Sequence, residues 1–441
     1  MIRTRFAPSP TGMVHLGGLR TALFNYCLAK RQAGRFLLRL EDTDTKRSVP
    51  GAAEEIKRTL AWAGLAWDEE VWQQSTRLPV YQHHAQLLMD SGSAYRCFCS
   101  EERIQHVRAE SALRGAGGYD RACLHIPPET SALRARNERF VVRMKDPDSQ
   151  GPFEDAILLK SDAFPTYHLA HLIDDHLAGI TDVMRGEEWL PSLHKHLALY
   201  RAFGWHPPRF FHLPLLVNPD GSKLSKRQGS AHVASYREAG YLPEAVLNYV
   251  ALMGWSPHAQ TESEVMTLHD MVGLFDAAHV SKGGAVVSRS KLDFFNRSHL
   301  RRKIEGDGIA ELVEQVKPAL GADNDEYIRQ VLLLAKERLH NIPDIPSRCD
   351  YFFHDPHPAL TEGEKEVLRH VQPLLAKCTW DAKGIEASLV CVSQENEIGM
   401  GRILRTLRHA IAGNKTGPGM PHAMQLIGPE RCLRRLHTAM A

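Results

Sequence analysis

No stretch of the 441-residue sequence approaches the about 20 consecutive apolar residues of a membrane-spanning helix, which excludes a helical membrane protein. Cysteine is scarce: there are eight, of which three fall within 97–123 while Cys27, Cys349, Cys378, Cys391 and Cys432 are scattered. So sparse a set excludes a disulfide scaffold and points to reduced thiols, as in a cytosol or an organelle matrix. Internal repeats are missing, and 32 Gly and 25 Pro are modest for this length. Collagen-like, low-complexity and disordered chains are thereby excluded. Acidic residues are absent from 1–40, which carries seven Lys/Arg, and 401–441 sets seven Lys/Arg against the single Glu430. Basic zones on a chain of net charge +2 suggest a polyanion contacted locally, such as nucleic acid, although charge alone fits an ordinary solvated surface better. The acid-free start superficially resembles a transit peptide, but 1–40 holds one serine and reads as strand, glycine-rich turn and helix. What is present is a 43% apolar, 24% charged composition, enough core for two to four domains at roughly 150 residues each.

Ile2–Ala7 alternates apolar and basic residues as a strand does, and Pro8–Gly12 is a turn. Leu19, Leu23, Tyr26, Cys27 and Lys30 then follow helical spacing, and Arg35–Leu40 is a second strand that runs into Glu41, Asp42 and Asp44. A strand–turn–helix–strand unit of this kind begins a doubly wound, Rossmann-like parallel sheet. Residues 52–65 and 78–92 read as helices, 94–145 as a Cys-bearing interruption, and 153–235 as a return to the α/β pattern. Beyond 236, helical periodicity dominates.

Three separated features carry chemistry. Pro8-Ser9-Pro10-Thr11-Gly12 and His15-Leu16-Gly17-Gly18 lie between the first strand and helix, where glycines and free helix N–H groups suit a phosphate. Alone, HLGG reads equally as an ordinary turn. Lys223-Leu224-Ser225-Lys226-Arg227 places three cations on a short loop, fit to hold a polyphosphate as a leaving group forms, or simply a solvated basic loop. Glu41, Glu188, Arg5 and Arg185 all fall at predicted strand ends, where open α/β sheets bind ligands. Each could be a surface ion pair; together with the first two features they outline a site for an amino acid and ATP.

With RFAPSPTG…HLGG and KLSKR, and between them LRLEDTD, FPTYHLA, DDH and VMRGEEWLPS in order, the chain resembles a class I aminoacyl-tRNA synthetase of the glutamyl type, bacterial or organellar branch. The resemblance covers residues 1–300 and, more loosely, the rest. It implies that Arg5 and Arg185 bind the substrate carboxylates, with Phe6, Ala7, Ser9, Glu41, Tyr167 and His171 completing the glutamate pocket. It implies ATP binding by His15, Gly17, Glu188, Lys223, Leu224, Ser225, Lys226 and Arg227. His15, Lys223 and Lys226, with Mg²⁺, would act on the departing pyrophosphate. The implied reaction is attack of the glutamate α-carboxylate on the α-phosphorus of ATP, then attack of the tRNA terminal ribose 2′-OH on the adenylate. Two departures stand out: His171 replaces a commoner Asn, and the stretches 142–158 and 67–72 are shorter than the family's.

Cys97-Phe98-Cys99 and Cys123-Leu124-His125 offer three thiolates and an imidazole, a tetrahedral zinc set, with Tyr119 as the alternative fourth ligand and buried free thiols as the alternative to metal. His125 is preferred because a neutral imidazole binds zinc better than a phenol. In the rear, the resemblance implies a helical connector and an α-helical anticodon-binding part, on which Arg402, Arg405 and Arg408 would meet tRNA, opposite the apolar Ile403, Leu404, Leu407 and Ile411. A solvated bundle face explains each arginine equally well. The expected organisation is a catalytic domain at 1–93 and 146–235, an inserted acceptor-end subdomain at 94–145, a connector at 236–300 and the anticodon domain at 301–441. The expected activity is glutamate–tRNA ligation, in a monomer acting on L-glutamate and tRNA(Glu) away from membranes. A form that also charges tRNA(Gln) and a silent tRNA-binding paralogue are the alternatives. VPGAAEEI and SKLSKRQG resemble mitochondrial members, so a mitochondrial matrix is expected ahead of a bacterial cytoplasm.

Overall fold

The alternating residues at the start of the chain form β1 (Arg3–Phe6), and the apolar positions after the HLGG turn form one face of α1 (Leu16–Arg31). β2 (Arg35–Leu40) returns parallel to β1, in the register Arg3↔Arg35 to Phe6↔Leu38. The chain continues through α2 (Ala52–Trp62), β3 (Trp72–Gln73), α3 (Leu78–Asp90), β4 (Ala94–Cys97), α4 (Glu101–Leu113) and α5 (Pro128–Arg134). Then come β5 (Val141–Met144), β6 (Ile157–Leu159), α6 (Tyr167–Leu177), β7 (Asp182–Gly186), α7 (Leu193–Ala202), β8 (Arg209–Leu213) and β9 (Leu216–Val217). This computed structural model describes residues 1–44, 46–113 (111–113 as backbone alone), 119–145, 155–217, 232–257, 263–281, 283–414 and 416–441.

β3 pairs parallel with β2, and β8 parallel with β7. The Thr181 N–H donates to the Arg3 carbonyl at 3.0 Å, setting the start of β7 beside β1. The strands therefore lie in the order β3, β2, β1, β7, β8, with the chain reversal at β1 that characterises a doubly wound sheet. A second, antiparallel sheet, β4-β5-β6, pairs Cys97 with Val141. β4 and β5 flank α4, α5 and the Cys-bearing turn, and β6, beyond residue 145, joins the same sheet. Between Arg209 and Val217 the extended chain is broken into β8 and β9 at Pro214, which has no N–H to offer a ladder.

The chain divides into two units, Met1–Ser235 with Leu247–Ser288, and Tyr236–Val246 with Arg289–Ala441. Among the described residues, the regular elements of the second unit are all helices. In it, Arg431, Arg434 and Arg435 converge on Asp355 at 2.7, 3.0 and 2.9 Å, so three cations of the C-terminal basic zone serve internal packing. On the helix Met400–Ala412, Ile403, Leu407 and Ile411 are buried as expected, but Thr406 also turns inward while Leu404 is only half-buried. No helix among the described residues is long and apolar enough to cross a membrane.

Candidate active site

α1 starts where it does because His15, in extended conformation, caps it: its Nδ1 accepts the Gly18 N–H at 3.1 Å. That bond fixes the ring proton of a neutral His15 on Nε2. The ring lies so close over Gly17, two residues after the cap, that a Cβ there would sit 3.1 Å from it, a tight contact that glycine avoids. His15 and Gly17 line a cavity of about 1850 Å³ at the carboxyl ends of β1, β2 and β7. The same cavity is walled by Arg5, Phe6, Ala7, Ser9, Glu41, Tyr167, Arg185 and Glu188. The sites read from four separated blocks of sequence are thus brought together.

Behind that wall lies a buried charge network. Arg5 donates from Nε to Asp175 at 3.1 Å, Arg39 donates to Asp175 at 2.6 Å and to Glu41 at 3.0 Å, and Arg77 donates to Asp174 at 3.0 Å. Gln74 and the Tyr81 hydroxyl complete the Asp174 carboxylate at 2.9 and 2.8 Å. Burial works against the charge of Asp175, but Arg39 and Arg5 hold its carboxyl below the ordinary range. At Glu41 the balance reverses: burial raises the carboxyl pKa against the pull of Arg39 and Arg5.

Arg185 is different. Only 4% exposed, it forms no ion pair with a carboxylate among the described residues. Its Nε donates to His212 Nε2 at 3.4 Å, its Nη1 to the Tyr167 hydroxyl at 3.3 Å and its Nη2 to His196 Nδ1 at 3.2 Å. The network thus holds three buried guanidinium groups (Arg5, Arg39, Arg185) and three buried carboxylates (Glu41, Asp174, Asp175), with the partly exposed Arg77 at its edge, and of these cations Arg185 alone meets no carboxylate among the described residues. An anionic ligand in the cavity would compensate Arg185, since an uncompensated buried charge is costly.

Sequence reasoning missed Arg39, Asp174 and Asp175. Their signal was present in two adjacent carboxylates on a helix otherwise buried on most sides, and in an arginine on the inward run of β2. Trp189 was missed too; its ring stacks on Tyr167 at 3.9 Å. Gly186 lets the exposed Glu188 lie back over the strand end, where a Cβ would come within 2.0 Å of the Glu188 carboxylate.

Three expected residues are placed otherwise. His171 is fully buried and does not line the cavity: its Nδ1–H donates to the Tyr167 carbonyl at 2.6 Å and its ring stacks behind Tyr167 at 4.3 Å. Four residues on from Tyr167, it falls one turn behind it on the helix. His125 is exposed and stands apart from the thiol cluster of Cys97, Cys99 and Cys123, whose Sγ atoms lie within 4.8 Å of one another. The tight turn after Cys123 carries His125 outward, whereas Tyr119 packs inward over Arg143 and brings its hydroxyl to 3.1 Å from Cys97 and 3.6 Å from Cys99. Arg408 is half-buried, with Nη2 donating to the Pro418 carbonyl at 2.6 Å, while Arg402 and Arg405 are exposed. Lys223, Leu224, Ser225, Lys226 and Arg227 lie outside the described residues.

A family model described as tRNA synthetases class I (E and Q), catalytic domain, matches residues 1–294, and one described as an anticodon binding domain matches 311–440. The chain is 39% identical over 480 residues to a glutamate–tRNA ligase of Thermus thermophilus, with 100% of each chain covered. It is 38% identical to a mitochondrial glutamate–tRNA ligase of Saccharomyces cerevisiae, covering 99% of this chain and 90% of that one. A crystal structure of a glutamate tRNA ligase from Elizabethkingia meningosepticum in complex with its amino acid superposes with a TM-score of 0.88 at 34% identity, covering 100% of this chain and 99% of the other.

Proposed function

The chain belongs to the class I tRNA synthetases of the glutamate and glutamine type and acts as a glutamate–tRNA ligase, and from that premise we propose which of its residues carry each step. The observation behind the assignment is Arg185, a buried guanidinium on the cavity wall whose bonds within the protein go to neutral acceptors. Glutamate brings two carboxylates and one ammonium, a net charge of −1 that would compensate the Arg185 guanidinium. Arg185 and Arg5 would take the carboxylates, Arg185 with the planar geometry a lysine lacks. Glu41, held at one oxygen by Arg39, would take the ammonium. Phe6, Ala7, Ser9 and Tyr167 would shape the pocket.

ATP, with its Mg²⁺, would lie along the start of α1, its phosphates near His15 and Gly17 and its nucleoside toward Glu188. His15 would donate from Nε2, the nitrogen its capping bond leaves protonated. The glutamate α-carboxylate displaces pyrophosphate from the α-phosphorus, and the ribose 2′-OH of tRNA then attacks the carbonyl, releasing AMP. No covalent enzyme intermediate is needed, so the protein contributes positioning and charge stabilisation, with Lys223 and Lys226 opposite the departing pyrophosphate.

Four further assignments are finer. Residues 94–145 would receive the acceptor end, 236–300 would contact the stem, and 301–441 the anticodon, with Arg402 and Arg405 at the RNA and Arg408 structural. Cys97, Cys99, Cys123 and Tyr119 would hold one structural zinc ion: the Cys99–Cys123 Sγ separation of 3.7 Å matches the about 3.8 Å edge of a zinc–thiolate tetrahedron. The protein would act as a monomer. Its compartment is read as the mitochondrial matrix, from the two segments that resemble mitochondrial members. Aminoacylation of purified tRNA(Glu) and tRNA(Gln) tests the central reading. Charging of tRNA(Glu) alone fits a discriminating enzyme, charging of both a non-discriminating one, and charging of neither overturns it.

A further inference from the structure

Arginine only donates hydrogen bonds, so each atom it meets must accept. His196 is fully buried, and its Nδ1 meets Arg185 Nη2 at 3.2 Å; the imidazole proton must therefore sit on Nε2. That Nε2 lies 3.0 Å from His168 Nδ1, which must then accept in turn, leaving the His168 proton on its own Nε2. The three side chains thus form a directed chain, Arg185 to His196 to His168, with one consistent set of protons.

The choice of acceptor matters. Where Arg5 and Arg39 are satisfied, the partner is a carboxylate: they share the one charge of Asp175, which compensates each of them in part. A carboxylate at position 196 would likewise compensate the charge of Arg185, and an apolar side chain would leave a buried N–H without a partner and the guanidinium free to turn. A neutral imidazole satisfies the N–H, fixes the plane of the guanidinium and leaves its charge uncompensated. We propose that His196, backed by His168, is a positioning residue for glutamate selection, holding Arg185 as an oriented, unneutralised cation for the substrate carboxylate. The inference rests on the reading of Arg185 as a carboxylate-binding group. Burial, reinforced by His171 and Arg185, keeps His196 neutral, as the chain requires.

Steady-state aminoacylation tests it, with the KM for glutamate, the KM for ATP and kcat measured on the full-length enzyme. His196→Leu should raise the KM for glutamate about tenfold or more while kcat and the KM for ATP stay within about threefold, because an interaction lost equally in ground and transition states appears in KM. His196→Asn, whose amide oxygen can replace Nδ1, should restore the KM to within about threefold of the unaltered enzyme. His196→Asp should be at least as impaired as His196→Leu. An unchanged glutamate KM in His196→Leu, a wild-type His196→Asp, or a parallel rise of both KM values would overturn the proposal. Should His196→Leu fail to fold, His168→Leu removes only the rear acceptor and should raise the glutamate KM about threefold; no rise would overturn the proposal too. An unaltered enzyme that charges no glutamate would overturn the parent reading, an outcome distinct from an active enzyme indifferent to position 196.

Discussion

Arg5 donates from Nε to both oxygens of Asp175, at 3.1 and 3.3 Å, and so is anchored to a helix 170 residues away in sequence. The same carboxylate receives Arg39 at 2.6 Å, tying β1, β2 and α6 together beneath the cavity. Asp175→Asn keeps the shape but leaves two buried guanidinium groups short of their counter-charge. The expected loss is about 3–5 kcal/mol of unfolding free energy. Urea denaturation of the two proteins measures it, and a loss below about 1 kcal/mol would show that the network is not buried as described.

Arg185→Lys retains charge but not the planar fork. The kcat/KM for glutamate should fall by roughly two orders of magnitude, with the KM for ATP nearly constant. A loss confined to ATP would remove Arg185 from the amino-acid pocket.

Purified protein should contain about one zinc per chain, lost in a Cys97→Ser, Cys99→Ser double variant. Tyr119→Phe should weaken retention during dialysis against a chelator, whereas His125→Ala should bind as the unaltered protein does. Elemental analysis decides it; zinc lost on changing His125 and kept on changing Tyr119 would reverse the ligand assignment.

Burial, with Lys195, Arg185 and His194 adding repulsion, holds His168 at a pKa of about 4, below its ordinary 6.5. In the unfolded chain the ring binds a proton near pH 6.5, so between there and about pH 4 the unfolded state holds more protons. This group's stabilisation is therefore complete above pH 6.5 and disappears on acidification toward pH 4. The full effect is at most roughly 3 kcal/mol. Melting temperatures of the unaltered protein and His168→Gln, compared at pH 7.5 and 5, should converge at the lower pH. A constant difference would mean that His168 is not held neutral.

The catalytic fold was legible in the sequence because its signals are local. Strand alternation, the HLGG turn, helical spacing and the ordered blocks from RFAPSPTG to VMRGEEWLPS each report on a few consecutive residues. Of the cavity wall, Arg5, Glu41, Arg185 and Glu188 were legible as strand ends, which the fold brings together, whereas Phe6, Ala7, Ser9 and Tyr167 were implied by the resemblance to the glutamyl family. His171 and His125 misled because each suits its assigned chemistry and depends on direction. One turn of α6 puts His171 behind Tyr167, and one tight turn puts His125 in solvent while Tyr119 meets the thiols.

By itself, then, the sequence determined the opening strand–turn–helix–strand unit, the return to an α/β pattern, the helical rear and, with the family resemblance, the residues at the mouth of the sheet. Only the tertiary structure decided how charge is apportioned among them: Arg5 and Arg39 share Asp175, Arg39 also meets Glu41, and His196, His212 and Tyr167 leave Arg185 unneutralised. The physical reason is range. Backbone propensity and hydrophobic period act between neighbours along the chain, but whether a guanidinium is paired depends on which side chains, brought from distant segments, share its low-dielectric surroundings.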